Sequence, residues 1–162
     1  MNCSVRLVIA VASPIFAVAF TLSGMAMQSK QSGGPSQQEL AKTYEESCVL
    51  HLRTINTAQS TYWGGEPSKG YARTLRELGP AGAGLLEPVI ASGKKDGYRY
   101  RLVAERATAN QPARHYVVVA RPIKRLVKSQ RSFFTDETGV IRFTTENRAA
   151  RGADPPLDSE AR

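Results

Sequence analysis

Between Leu40 and Tyr62 apolar side chains return every three or four residues, and from Tyr98 onward they return every second residue. The first spacing marks one side of an α-helix and the second marks one face of a β-strand. A chain that makes this change once has to lay a helix on a sheet, because each element leaves an apolar surface that must be buried. The helical stripe is Leu40, Tyr44, Cys48, Leu52, Ile55 and Tyr62, widened by Ala41, Val49 and Ala58. Lys42, Glu45, Glu46 and Arg53 fall mainly off it and read as a solvated face. Ser36-Gln37-Gln38-Glu39 fits a capping box at the helix start, and Gly64-Gly65 ends it. Cys48 falls on the buried side, as a small core residue rather than a reactive thiol.

The strands follow. Tyr98, Tyr100, Leu102 and Ala104 alternate with Arg99, Arg101 and Glu105. His115–Arg121 is apolar on both faces and therefore central, with Pro122 ending it. Ser132–Thr135 and Val140–Phe143 form a hairpin through Asp136-Glu137-Thr138-Gly139, where Gly139 should take a positive φ. Two apolar clusters between Gly65 and Gly97, Leu75–Leu78 and Leu85–Ile90, predict short helices. The fold class is α+β: one long N-terminal helix on an antiparallel sheet of about four strands, spanning residues 36–145. Residues 146–162 lack an apolar face and read as a disordered tail.

Ahead of this domain, Leu7 to Met27 carries no charge, with Arg6 before it and Lys30 after it. Two readings stand open for residues 1–28. A basic start, an apolar stretch and a small-residue exit describe a signal sequence cut after Ala26. The same run, residues 7–27, also meets the length of about 20 needed to cross the inner membrane as an anchor. Either one exports the rest of the chain, to the periplasm or beyond if cut, or to a tethered position in the cell envelope if not. Residues 29–35, rich in Ser, Gly and Pro, make a flexible linker. Cys3 precedes the apolar run instead of following it, which speaks against a lipoprotein signal and leaves two readings, a palmitoylated or an inert thiol.

Charge is unevenly distributed. Of 162 residues, 22 are basic and 14 acidic, a net charge of +8. Eleven of the basic residues lie between Lys94 and Arg131, against Asp96 and Glu105 alone. That stretch therefore carries +9 and the rest of the chain −1. Such a region attracts polyanions without regard to sequence: anionic lipid, DNA or acidic polysaccharide. Lys124, Arg125 and Lys128, clustered after Pro122, and Arg99 and Arg101 on the first strand are the candidate contacts. Against this stands the reading of an ordinary solvated face. For catalysis the residues offer little. His51 falls within the helix and His115 at a strand start, no Gly-x-Ser-x-Gly occurs, and Glu45 and Glu46 point about 100° apart. Two cysteines and two histidines, with Cys3 far from the domain, cannot make a four-ligand zinc site. Asp136 and Glu137 are too few for calcium, which takes about six to eight oxygens. No catalytic residue, cofactor or metal ligand is therefore expected.

Four blocks taken in order carry a resemblance: LRTINTAQSTY at Leu52–Tyr62, Gly70-Tyr71 with Leu75–Gly79, LLEPVIASGKKDGY at Leu85–Tyr98, and FFTDETGVIR at Phe133–Arg142. Over about Cys48–Phe143 the chain resembles the globular domain of type IV pilin-like proteins and pseudopilins. The resemblance implies a helix lying on an antiparallel sheet. It also implies a non-catalytic component of a type IV pilus or a type II secretion-like apparatus, with other envelope or pilin-like subunits as partners. The prepilin leader pattern is absent: Gly24 follows most of the apolar run, and Met25–Ser29 holds no glutamate.

Overall fold

Ser36 and Glu39 close the helix start reciprocally. The Ser36 hydroxyl accepts from the Glu39 amide at 3.2 Å, and the Glu39 carboxylate accepts from the Ser36 amide at 2.8 Å. Two donors of the first turn are thereby satisfied. Helix α1 then runs Gln37–Gly65. The computed structural model describes residues 34–108 and 111–158. The candidate signal or anchor, Ala26 and most of the linker lie outside them. Among the described residues no helix is long and apolar enough to cross a membrane.

The buried side of α1 is Ala41, Glu45, Cys48, Leu52, Ile55, Ala58 and Gln59, with Tyr44, Val49 and Tyr62 on its flanks. Leu52 and Ile55 are fully buried, each contributing about 1.5–3 kcal/mol. Glu45 corrects the expected solvated face. It sits four residues after Ala41 and three before Cys48, so helical geometry turns it inward. Its carboxylate accepts from the Arg131 backbone amide at 2.8 Å and from Arg131 Nε at 2.7 Å. Other polar side chains on or beside this face are paired in the same way. Gln59 exchanges two 2.9 Å hydrogen bonds with the backbone of Ala72. Asn56 donates to Thr135 Oγ1 and accepts from the Tyr116 hydroxyl.

Helices α2 (Leu75–Leu78) and α3 (Pro88–Ala91) occupy the Gly-rich middle. The sheet has five strands rather than about four: β1 (Lys94–Lys95), β2 (Tyr98–Ala104), β3 (Tyr116–Pro122), β4 (Ser132–Asp136) and β5 (Arg142–Thr144). They pair antiparallel in sequence order, a meander with β3 in the middle. The additional strand β1 comes from Asp96-Gly97. Both residues have positive φ, 45° and 73°, the geometry of a type I′ hairpin that reverses the chain in two residues. Pro122 is the last residue of β3 instead of lying beyond it.

One sheet face meets α1. Tyr98, Tyr100, Leu102, Tyr116, Val118, Ala120, Phe133 and Phe143 share a core with Cys48, Leu52 and Ile55. The C-terminal segment corrects the expected disordered tail through residue 158. The Phe143 amide donates to Pro155 O and the Leu157 amide to Ile141 O. Ala150 is buried, and Leu157 packs against the core. Arg148 grips Asp154 at 2.7 and 2.8 Å, holding that carboxyl down to about 2. Two small apolar contacts and a charged clasp fix the segment without a periodic stripe.

Candidate functional site

Alternation along β2 and β3 sends Arg99, Arg101, Val103, Val117, Val119 and Arg121 to the sheet face away from α1. Register then decides what they form. Lys94 stands opposite Arg99, and Arg99 stands opposite Arg121. Three cations thus make one row across β1, β2 and β3, about 10 Å from end to end at the usual strand spacing. Arg101 lies two residues along from Arg99, opposite Val119. Lys94, Arg99, Arg101 and Arg121 are all exposed, and among the described residues none pairs with a carboxylate. Like charges placed directly opposite destabilise an antiparallel pair. The row therefore concentrates positive charge that no carboxylate among the described residues neutralises.

The other half of this face is covered. Phe134 stands opposite Val119 and belongs to the same outer side, yet it is only 9% exposed. The C-terminal segment lies over it, with Gly152 so close that an added Cβ would stand 3.6 Å from the ring. Arg142 Nη1 donates to Asp154 O at 3.0 Å and holds that segment in place. Among the described residues the cover stops at β4–β5, leaving β1–β3 bare. Val103 (45%), Val117 (36%) and Ile123 (52%), half of the exposed large apolar side chains among the described residues, lie on the bare half or just past its end. Ile123 continues the β3 ladder by one hydrogen bond, its amide donating to Gly97 O at 2.8 Å.

The candidate contacts separate into three groups. Arg99 and Arg101 share the bare face. Lys124 and Lys128 are exposed in the loop after β3. Arg125 differs from both: its guanidinium donates to the carbonyls of Lys128, Thr145 and Glu146. It braces that loop against the exit of β5 and is not a free loop cation. Lys94 and Arg121 were not singled out as contacts by sequence. The Asp96-Gly97 turn was the signal for Lys94, because it sets the register that brings Lys94 opposite Arg99.

Several titratable groups elsewhere are engaged locally. Burial pushes the Cys48 thiol far up. His51 Nδ1 is hydrogen-bonded to the Tyr100 hydroxyl at 2.9 Å, and burial, then Lys95, lowers its proton affinity. His115 Nδ1 lies 2.6 Å from Glu137 Oε1, a hydrogen bond that raises the imidazole. Asp136 accepts from the Thr138 amide within the turn. Thus the two adjacent carboxylates at the hairpin do not converge. A cleft of about 590 Å³ lies between the end of α1 and α2, lined by Tyr62, Glu66, Lys69, Glu77 and Leu85, with Glu66 and Lys69 paired to each other at 3.2 Å. Among the described residues no group of three or more His, Cys, Asp and Glu could hold a metal ion. No protein-family model, curated protein or solved structure matches this chain.

Proposed function

We propose that this protein is a non-catalytic, exported or membrane-anchored pilin-like domain, a structural or interaction component of the cell envelope of the type IV pilus or type II secretion kind. The observation that carries the reading is the arrangement of two layers: α1 covers one face of the meander, and the β1–β3 half of the other face is bare. The sequence blocks behind the resemblance also make the joints of this arrangement. Asn56 and Gln59, from the first block, tie the helix to Tyr116, Thr135 and Ala72. The last block makes β4 and its turn. Other envelope or pilin-like subunits would be the partners.

The test is the N-terminal residue of the mature protein, read by mass spectrometry on envelope and soluble fractions of the producing cell. Met27 at the N-terminus of an exported form, or an intact start in the membrane fraction, is the expected result. An intact start in the cytosolic fraction would contradict the proposal. A second reading, a polyanion-binding module, is favoured by the row Lys94–Arg99–Arg121, which concentrates uncompensated positive charge on the bare face.

A further inference from the structure

We propose that the bare β1–β2–β3 face docks on the surface of an anionic phospholipid bilayer. The inference rests on the envelope reading above, which sets the domain beside a membrane. Two features coincide on this face. Lys94, Arg99, Arg101 and Arg121 offer four cations with no carboxylate partner among the described residues. Val103 and Val117 stand exposed at one end of the face and Ile123 at the other. Neighbouring cations on this face lie within the screening length of roughly 8 Å at physiological salt, so they act on a charged surface jointly.

The mixture of groups selects the ligand. Phosphate diesters of a nucleic acid would satisfy the cations equally well, but they offer nothing to three exposed aliphatic side chains. Single-stranded nucleic acid is held largely by aromatic stacking, and the aromatic ring on this side, Phe134, is covered by the C-terminal segment. A bilayer interface supplies both partners: anionic headgroups for Lys and Arg, and the boundary of the acyl chains for Val and Ile. The β4–β5 half, overlaid by residues 148–157, would stay outside the contact.

The experiment uses the full-length chain with Cys3→Ser, leaving buried Cys48 unlabelled, and an environment-sensitive fluorophore at Val103→Cys. It is reconstituted in vesicles of phosphatidylcholine alone or with added phosphatidylglycerol. Expected is a blue shift only when phosphatidylglycerol is present, reversed by high salt, with no shift for the same label at Val140→Cys. Replacing Lys94, Arg99, Arg101 and Arg121 with Gln should lower the docked-to-undocked ratio at least about tenfold. Replacing the three arginines with Lys should preserve docking, and so should Lys124→Gln with Lys128→Gln. An unresponsive Val103 label, or a response that survives the four Gln substitutions, would overturn the proposal. Loss of docking on changing the loop lysines alone would move the site to the loop. A shift produced by duplex DNA and not by anionic vesicles would assign the face to nucleic acid. None of these failures bears on the mature N-terminus, which tests the envelope reading separately.

Discussion

His51 and His115 show how local surroundings divide two identical side chains. The ordinary value for both is 6.5. His51 is lowered by burial and then by Lys95, so the folded chain holds its proton less readily than the unfolded chain. Its contribution to stability is complete above 6.5 and is lost as pH falls through 6.5 toward the folded value. His115 is raised, chiefly by its hydrogen bond to Glu137. Its contribution is complete below 6.5 and is lost as pH rises through the folded value. A nuclear magnetic resonance titration should find His115 above 6.5 and His51 below it. Glu137→Gln should bring His115 down and leave His51 where it was; coincident titrations in the parent protein would contradict this. Arg125 is the other residue whose role composition conceals. With three backbone carbonyls on its guanidinium, Arg125→Gln should cost about 1 kcal/mol in chemical denaturation, discounted for its partial exposure. Lys124→Gln and Lys128→Gln should stay within about 0.5 kcal/mol. Equal effects at all three would mean that the brace does not form in solution.

At the scale of elements, periodicity was legible where an element is long enough to repeat. Helix α1 and strands β2 and β3 show their faces through several turns or alternations. Glu45 broke the reading of the helix because a charged side chain at an inward position looks solvated until its partner is known. Arg131 lies 86 residues beyond Glu45, a separation that no local pattern spans. Strand β1 has two residues and no alternation at all, so only its Asp-Gly turn announces it. That turn and the closing hairpin can be compared directly. Gly97 and Gly139 have nearly equal φ, 73° and 74°, so a Cβ costs about 1–2 kcal/mol of backbone strain at either. At Gly97 the new Cβ would also stand 2.5 Å from Tyr44 Cδ2, whereas at Gly139 nothing lies within 4 Å. Gly97→Ala should therefore lower the melting temperature more than Gly139→Ala. The reverse order would mean that Tyr44 does not pack beneath the β1–β2 turn.

For the whole molecule, the placement of the C-terminal segment divides the sheet's outer face into a covered and a bare half. Sequence could not foresee this. Ala150 and Leu157 are too sparse to form a stripe, and the Arg148–Asp154 clasp resembles ordinary surface charge. Ending the chain at Glu146 should uncover Phe134 and destabilise the fold by about 2–4 kcal/mol, read from the urea midpoint. An unchanged midpoint would mean that the segment does not hold its place. The basic residues were legible as a region, but the region divides into several parts, among them a sheet face, a loop with two exposed lysines, the Arg125 brace, and Lys95 and Arg131 paired with Glu87 and Glu45. Register, which is a property of the folded sheet, chose among them. On the proposed reading this domain lies outside the cytoplasm with its β1–β3 face against an anionic membrane. The most direct measurement is labelling by a membrane-impermeant thiol reagent, with the outer envelope opened and the inner membrane intact, in a Cys3→Ser background that leaves only buried Cys48. Val140→Cys should react, and Val103→Cys should be shielded until the envelope is dissolved. Failure of Val140→Cys to react before lysis, or equal reactivity of both positions, would contradict the account.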